Sequence, residues 1–480
     1  MTSGLWKSSV VENITGGKCV GAPWVAQGVS FDSRLIRPGD LFLALNGGER
    51  DGHDFLAEAF VNGAVVAVVE KIPENNNGES SFLLVDNVYE ALQDLALEAR
   101  VRAPATIVAV TGSVGKTSTK DALAAALFKS CKVHSTSGNL NNHIGLPLSL
   151  ARMPKETKFG VFELGMNHSG EIRNLSNLIK PDLAIITNVN AVHLEHFENE
   201  QGIAEAKAEI FQGMPSDGQV ILYSDNRWSQ FLASKAREAS IKNIITFGSD
   251  ASCAVRLSNF EPNQNGSLIE IEISGKTIRY TLDVVGKHIA INTVGVIACV
   301  YALGCDIDFA IDSFRSICLR KGRGKHIRIP LGAVGELNLI DESYNANPTA
   351  MRAAFAAFGL TKINNGGRRI AILGDMLELG PSGALLHANL IDDLIASKPD
   401  MVVTVGLLMK NLHDKIPAEI TRLHANNSCD IAKNIPQKLR VGDLILVKGS
   451  LGTNMAPIVT AIEKLGLKSV LPAESHEMRS

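Results

Sequence analysis

Residues 106 to 120, TIVAVTGSVGKTSTK, place two glycines, a lysine and a threonine at the spacing Gly112-x-x-Gly115-Lys116-Thr117. That spacing suits a polyphosphate. Gly112, Ser113, Val114 and Gly115 would let backbone N–H groups close on phosphate oxygens. Lys116 would supply a compact charge, and Thr117, followed by Ser118, would offer a hydroxyl to Mg²⁺ at the positive end of a helix dipole. The expected ligand is a nucleoside triphosphate. A full phosphate-loop pattern would have glycine at position 110, where this chain has Val110, so the match is to a shorter GxxGKT form. The competing reading, a glycine-rich surface turn, is disfavoured because GKTS follows an apolar β-branched run and opens an alanine- and leucine-rich helix.

Further candidates lie downstream. Glu163 in VFELGMNHSGEI and His193 in TNVNAVHLEHF each come at or just past an apolar run. A carboxylate there is commonly a cap and a lone histidine commonly packed. Because both follow strands of one sheet, a metal role, direct or through water, is the better expectation. Lys207 in EAKAEIF sits among alanines and glutamates on a helical pattern and reads as a solvated face residue. In TSGNLNNHIGLP, residues 136–147, the side chains of Asn139, Asn141, Asn142 and His143 could read a polar substrate or form Asx turns. DESYNANP at 341–348 and VKGSLGTNM at 447–455 both follow apolar runs, yet each alone is ordinary turn chemistry.

Elements must exist to position these groups. Short strands and helices fill roughly the first ninety residues: GVSFDSR at 28–34, an RPGD turn feeding an apolar run at 41–45, a helix over 51–64 and a strand at 65–69. Residues 88–102 have helical periodicity. From 104 to about 320 apolar runs alternate with helices, with strands expected at 106–110, 159–163 and 183–187, as in a mostly parallel sheet. Residues 258–285 break that rhythm with the alternation of antiparallel strands, and 286–303 return to helix. KGRGKHIR after Arg320 is a basic, glycine-rich hinge candidate. Strands are then expected at 337–340, 369–373, 401–405 and 444–447. The fold class is α/β in three domains: 1–85 small and N-terminal, 86–321 central with the phosphate loop, and 322–480 Rossmann-like.

At 480 residues the chain exceeds one ordinary core. Its net charge of -3 offers no basic face for nucleic acid, leaving small polar metabolites as the natural ligands. Seven cysteines, an odd number without a CxxC pair, argue against a disulfide framework and a zinc site and for reduced thiols. No charged segment followed by an apolar run opens the chain, and no window approaches the ~20 apolar residues of a membrane span. The expectation is a soluble, cytoplasmic protein with no stable membrane insertion.

Taken together these stretches resemble the Mur ligases, the ATP-dependent amide-forming enzymes of peptidoglycan synthesis, in matching order from residue 28 to about 460. FDSRLIRPGDLFLAL, LGDMLELG at 373–380 and DESYNANP are similar to members that join D-alanyl-D-alanine to UDP-N-acetylmuramoyl-tripeptide. The DNPR signature of diamino-acid-adding members is not found here. The resemblance implies ATP, two Mg²⁺ ions and a carbamate on Lys207, which turns a cation into an anionic oxygen ligand and so reverses the solvated-face reading. It implies that Glu163 and His193 serve the metals and Lys116 and Thr117 the phosphates. Asn142 would touch substrate, and Asn292, four residues after His288, would read adenine. Arg323 would reach the ATP phosphates when the last domain closes. Asp341, Glu342, Tyr344 and Asn345 would belong to the same nucleotide-facing loop. Ser33 and Arg34 would meet the uridine-diphosphate end, and Lys448 and Ser450 the substrate. Relatives usually carry glycine where this chain has Ala208, and two aspartates where it has Asp341-Glu342. A monomer is the family expectation. Rival readings are another Mur ligase, a folylpolyglutamate-type ligase or, remotely, a regulatory P-loop NTPase.

Overall fold

Apolar β-branched runs bounded by glycine or polar turns form the strands. The computed structural model describes residues 4–48, 50–74, 78, 80–192, 195–263, 266–314, 321–363 and 366–468. The chain divides into two compact units, one of residues 1–187, 204–246 and 295–310, the other of 188–203, 247–294 and 311–480.

In the first unit a five-stranded sheet runs in the order Lys18–Val20, Phe82–Leu84, Val66–Val69, Asp40–Leu43, Gly28–Ser30. Its last four strands are parallel, and Lys18–Val20 adds an antiparallel edge. Leu41 to Leu43 and Val66 to Val69 are wholly buried, as strands covered on both faces should be. Asn87 starts the helix Val88–Arg102 by accepting from the N–H groups of Tyr89 and Glu90. Val88, Leu92, Leu95 and Ala99 on one face of that helix join Leu41, Leu43, Val66 and Leu148 in one core.

The same unit holds five parallel strands in the order Gln219–Tyr223, Leu183–Ile186, Thr106–Thr111, Phe159–Glu163, Val133–Ser135. Thr106–Thr111 lies between strands that follow it in sequence on either side. The chain order therefore reverses there, and the crevice beyond its C-terminal end is where open parallel sheets take ligands.

In the second unit Phe247 pairs in parallel with Val255, after which Val255–Asn263, Gly266–Ile273 and Lys276–Leu282 run antiparallel. Antiparallel strands were expected from 258; pairing starts three residues earlier. Helix Lys287–Ala302 follows. A six-stranded sheet has the order Lys325–Pro330, Glu336–Glu342, Leu444–Lys448, Arg369–Gly374, Met401–Val405, Thr421–Ala425, parallel except for its first pair. Two of these strands are not among the four expected. KHIRIP alternates Ile327 and Ile329 with charged residues, and its basic composition masks an edge strand, where exposed charge deters strand addition. TRLHA, residues 421–425, is half exposed at the opposite edge and lacks an apolar run. The α/β class, mostly parallel, is as expected. Among the described residues no helix is long and apolar enough to cross a membrane.

His387 closes the LGDMLELG turn from inside this unit. Its side chain is wholly buried; Nε2 accepts from the N–H of Met376 at 2.9 Å and Nδ1 donates to Gly383 O at 2.6 Å. Burial holds its pKa below the ordinary 6.5, since a proton on Nε2 would remove the acceptor Met376 needs. With the folded pKa depressed, the unfolded chain takes up the proton first. Stability is therefore full above pH 6.5 and falls as the pH drops below it. Urea denaturation at pH 7.5 and 5.5 should show that loss, and His387→Gln, whose amide can reproduce both hydrogen bonds, should lose less across the same interval. Equal losses would contradict this role.

Candidate active site

The phosphate-loop residues come together as their spacing implies. Gly115 stands at the helix cap with φ +85°, a left-handed conformation suited to glycine, and puts no side chain before the first turn of Lys116–Phe128. Helix N-termini of this form favour anions. Thr187, just past the neighbouring strand, donates through Oγ1 to Val114 O at 2.6 Å, and Lys116 Nζ donates to Gly112 O at 2.7 Å. Ser113 and Thr117 are buried, while Ser118 is half exposed.

Glu163 ends the strand beside Thr106–Thr111 and is 2% exposed. Its backbone N–H donates to Thr136 Oγ1 at 3.1 Å, and Oε1 accepts from Asn141 Nδ2 at 2.8 Å. Lys120, wholly buried, fixes the same segment by donating to Thr136 O at 2.6 Å. Asn141 can lie there because residue 165 is glycine: a Cβ at Gly165 would come within 2.9 Å of the Asn141 amide. The other carboxylate oxygen, Oε2, is buried with no hydrogen-bond partner among the described residues. A carboxylate oxygen so placed suits a ligand to a divalent metal, although no cluster of three or more His, Cys, Asp or Glu side chains that could hold one is found among the described residues. The residues alone put Asn139, Asn141, Asn142 and His143 forward together and the resemblance singles out Asn142, whereas Asn141 is the one that reaches Glu163. The paired asparagines were the signal, but nothing in their order says which one turns toward the strand end.

Asn142 instead opens helix Gly145–Ala151, its Oδ1 accepting from Gly145 N at 2.8 Å and Ile144 N at 3.3 Å, which is the Asx-turn alternative. Asn139 and His143 are exposed. His193 lies outside the described residues.

The solvated-face reading of Lys207 from its helical pattern is overturned, because Lys207 is 2% exposed. Burial, and secondarily the charge of Lys116, push its pKa well below the ordinary lysine value. Two residues on, Glu209 is also buried and accepts from Ser169 Oγ at 3.0 Å, Gly170 N at 2.7 Å and Arg173 N at 3.2 Å. That carboxylate ties the lysine's segment to the start of helix Glu171–Ile179. Ala208 between them has φ -65° and ψ -17°, ordinary helical values that need no glycine.

Also in this unit, Ser33 is buried and donates to Glu58 Oε2, and Asn62 donates to Ser33 O at 2.9 Å. Arg34 is exposed and forms a two-pronged pair with Asp32, Nε to Oδ1 at 2.9 Å and Nη2 to Oδ2 at 2.7 Å. The hydrogen bond from Arg34 holds the Asp32 carboxyl below its usual range.

The second unit holds the remaining candidates. Asn292 is half-buried on helix Lys287–Ala302, beside Thr293, whose Oγ1 meets the Tyr280 hydroxyl at 2.8 Å. Lys448 is 3% exposed, 2.8 Å from Glu342 Oε2, and donates to Asn345 O at 3.0 Å. Burial pushes the Glu342 carboxyl up, but Lys448, His288 and His326 outweigh it and hold the carboxyl below its ordinary value. Ser450 donates to Ala346 O at 3.2 Å and accepts from Leu377 N at 3.0 Å. Arg323 lies over the ring of Tyr344, 4.1 Å from its centroid. Asp341 is fully buried and accepts from Gly322 N and Ser343.

A parallel sheet with a glycine turn at its switch point and a buried carboxylate at the neighbouring strand end is the build of a nucleotide-binding P-loop protein. The sequence matches three family descriptions in order: Mur ligase family, catalytic domain, at residues 25–100; Mur ligase middle domain at 110–300; and Mur ligase, glutamate ligase domain, at 330–451. The chain belongs to the Mur ligase family. It is 36% identical over 431 residues to the UDP-N-acetylmuramoyl-tripeptide--D-alanyl-D-alanine ligase of Rickettsia prowazekii, covering 90% of this chain and 94% of that one. The Bacillus subtilis protein of the same name is 33% identical, with 91% and 93% covered. Among solved structures, MurF from Acinetobacter baumannii superposes with a TM-score of 0.81 at 28% identity, covering 96% and 99%. MurF ligase from Thermotoga maritima in complex with ADP gives 0.76 at 26% identity, covering 92% and 98%.

Burying a lysine beside another cation is kept at the expense of stability. Lys207→Met should therefore raise the unfolding free energy by on the order of 1–3 kcal/mol in carbonate-free buffer, measured by urea denaturation. A less stable variant would show that the amine makes a favourable pair the buried site conceals.

Proposed function

We propose that this protein joins D-alanyl-D-alanine to UDP-N-acetylmuramoyl-tripeptide, with cleavage of ATP to ADP and phosphate, in peptidoglycan precursor synthesis in the cytoplasm, in support of wall growth and cell division. The observation that carries the reading is the set of Gly112–Thr117 and the buried Glu163 at adjoining strand ends, with the buried Lys207 on helix Glu200–Ala208. It occurs in a chain that aligns over nine-tenths of its length with ligases named for that reaction.

Chemistry explains the need for nucleotide. A carboxylate has no leaving group, and an ammonium has no lone pair to attack with. In this reading the tripeptide carboxylate attacks the γ-phosphorus of ATP in line, forming one P–O bond while the bond to ADP breaks. Lys116 and the N–H groups of the glycine turn stabilise the charge on the transferring group. The free amine of D-alanyl-D-alanine then adds to the acyl phosphate, and the C–O bond breaks to leave amide and phosphate. Mg²⁺, held through Thr117, Glu163, His193 and a carbamate on Lys207, would supply charge neutralisation at the phosphates.

The buried, neutral-prone amine of Lys207 supports carbamate formation, since CO₂ adds to the unprotonated amine and the added carboxylate is the anion Oε2 of Glu163 would share a cation with. Residues 1–85 would take the uridine-diphosphate end with Ser33 and Arg34, residues 86–321 the ATP, and 322–480 the dipeptide, with Lys448 and Ser450 shaping that site. Asn142 would contact the acceptor, and Asn292, Arg323, Glu342, Tyr344 and Asn345 the nucleotide. The catalytic unit would be a monomer.

Phosphate release should require both the UDP-linked tripeptide and D-alanyl-D-alanine. Hydrolysis indifferent to them would instead indicate a regulatory NTPase. Lys116→Ala should abolish turnover, and near-normal rates in that variant would remove the phosphate cradle from the mechanism. Lys207→Ala should lose most activity and recover part of it with added short-chain carboxylic acids. Full activity without them would dispose of the carbamate.

A further inference from the structure

Asp341 and Glu342 stand side by side at the end of strand Glu336–Glu342, but the two carboxylates face different neighbours. Glu342 pairs with Lys448. Asp341 is 0% exposed, and its oxygens are divided between the segment that leads into this sheet and the residue just after the strand. Oδ2 accepts from Gly322 N at 2.8 Å, while Oδ1 accepts from Ser343 N at 3.1 Å and Ser343 Oγ at 2.6 Å. The main chain repeats the connection: Asp341 O accepts from Gly324 N at 2.8 Å, and Gly322 O accepts from Tyr344 N at 3.0 Å.

Between those two pinned glycines lies Arg323. Gly322 and Gly324 have φ of +78° and +88°, so the chain makes left-handed turns on both sides of the arginine. A Cβ at Gly322 would stand 2.9 Å from Tyr344 Cβ, so the turn also fits closely against the loop it is bonded to. The result is a backbone fixed before and after Arg323, with its guanidinium laid on the Tyr344 ring. An arginine has many rotamers, and freezing its backbone and one face of its head removes much of that freedom in advance.

We propose that Asp341 is a positioning residue: it touches no part of the nucleotide and acts by holding the Gly322–Gly324 turn so that Arg323 is presented to the phosphates. The inference rests on the reading that Arg323 meets those phosphates. An aspartate is required because both oxygens must accept. Each oxygen accepts from a backbone N–H, so asparagine must set its own N–H group against that of either Gly322 or Ser343 and loosens the bridge between them, and glutamate would push the turn outward by one methylene.

The test is a double-mutant cycle on the full-length enzyme with ATP as varied substrate. Asp341→Asn and Arg323→Ala should each lower kcat/KM by about 10- to 100-fold, the scale of a misplaced catalytic contact. The double variant should fall within about threefold of Arg323→Ala alone, because once the arginine is gone its support has nothing left to do. Inhibition by adenosine, which has no phosphate, should be unchanged in Asp341→Asn. Losses that multiply in the double variant, or weakened adenosine inhibition, would mean a direct contact with nucleotide and overturn the proposal. Should Asp341→Asn fail to fold, Gly322→Ala replaces it in the cycle with the same expected coupling, and additivity there overturns it equally. An Arg323→Ala variant with undiminished kcat/KM would defeat the reading of Arg323 itself. An impaired Arg323→Ala that is additive with Asp341→Asn would defeat only the inference about Asp341.

Discussion

A carboxylate oxygen held out of water with no donor is the constraint on which the central part of this protein depends. Among the described residues Glu163 Oε2 is in that state, and its neighbours hold it in place. Thr136 holds its backbone, Asn141 takes the other oxygen, and Gly165 has no side chain to displace Asn141. A cation or donor that meets this oxygen would satisfy a buried polar atom that its surroundings already hold in position. Lys207 is the same device with opposite sign. Its amine is buried where burial and the charge of Lys116 disfavour the ammonium form, and Glu209 anchors the segment that keeps it there. Such sites lower stability in the empty protein and raise affinity for the group that completes them.

The second unit uses charge differently. Lys448, Glu342 and the neighbouring histidines compensate one another, so that polar groups at the ends of Glu336–Glu342 and Leu444–Lys448 are fixed in place. Asp341 and Ser450 likewise spend their hydrogen bonds on loops, Ser450 tying Ala346 to Leu377. Rigid loops at strand ends hold a ligand with little ordering left to do on binding.

Much of this was legible in the residues. GxxGKT after an apolar run gave the phosphate turn because glycine, lysine and threonine each answer a distinct requirement there, and Glu163 at the end of FGVFE could only lie at the same edge of the sheet. What was hidden had physical causes. KHIRIP concealed a strand because edge strands carry charge where central ones carry valine. Lys207 looked solvated because helical periodicity describes which residues share a face but not what later packs over that face. Asn141 and Asn142 are chemically identical, and only the backbone turn through Asn139 and Gly165 decides which one meets Glu163. Asp341 and Glu342 alternate across a strand, so one must point inward, and sequence alone does not say which.

The central claim is that an acid is activated by direct phosphoryl transfer before an amine captures it. The most direct measurement uses tripeptide substrate labelled with ¹⁸O in the reacting carboxylate and follows the isotope into inorganic phosphate by mass spectrometry. The account predicts one ¹⁸O atom in each phosphate released per amide formed, since the carboxylate oxygen that bonds to phosphorus leaves with it. Amide formation with unlabelled phosphate would contradict it.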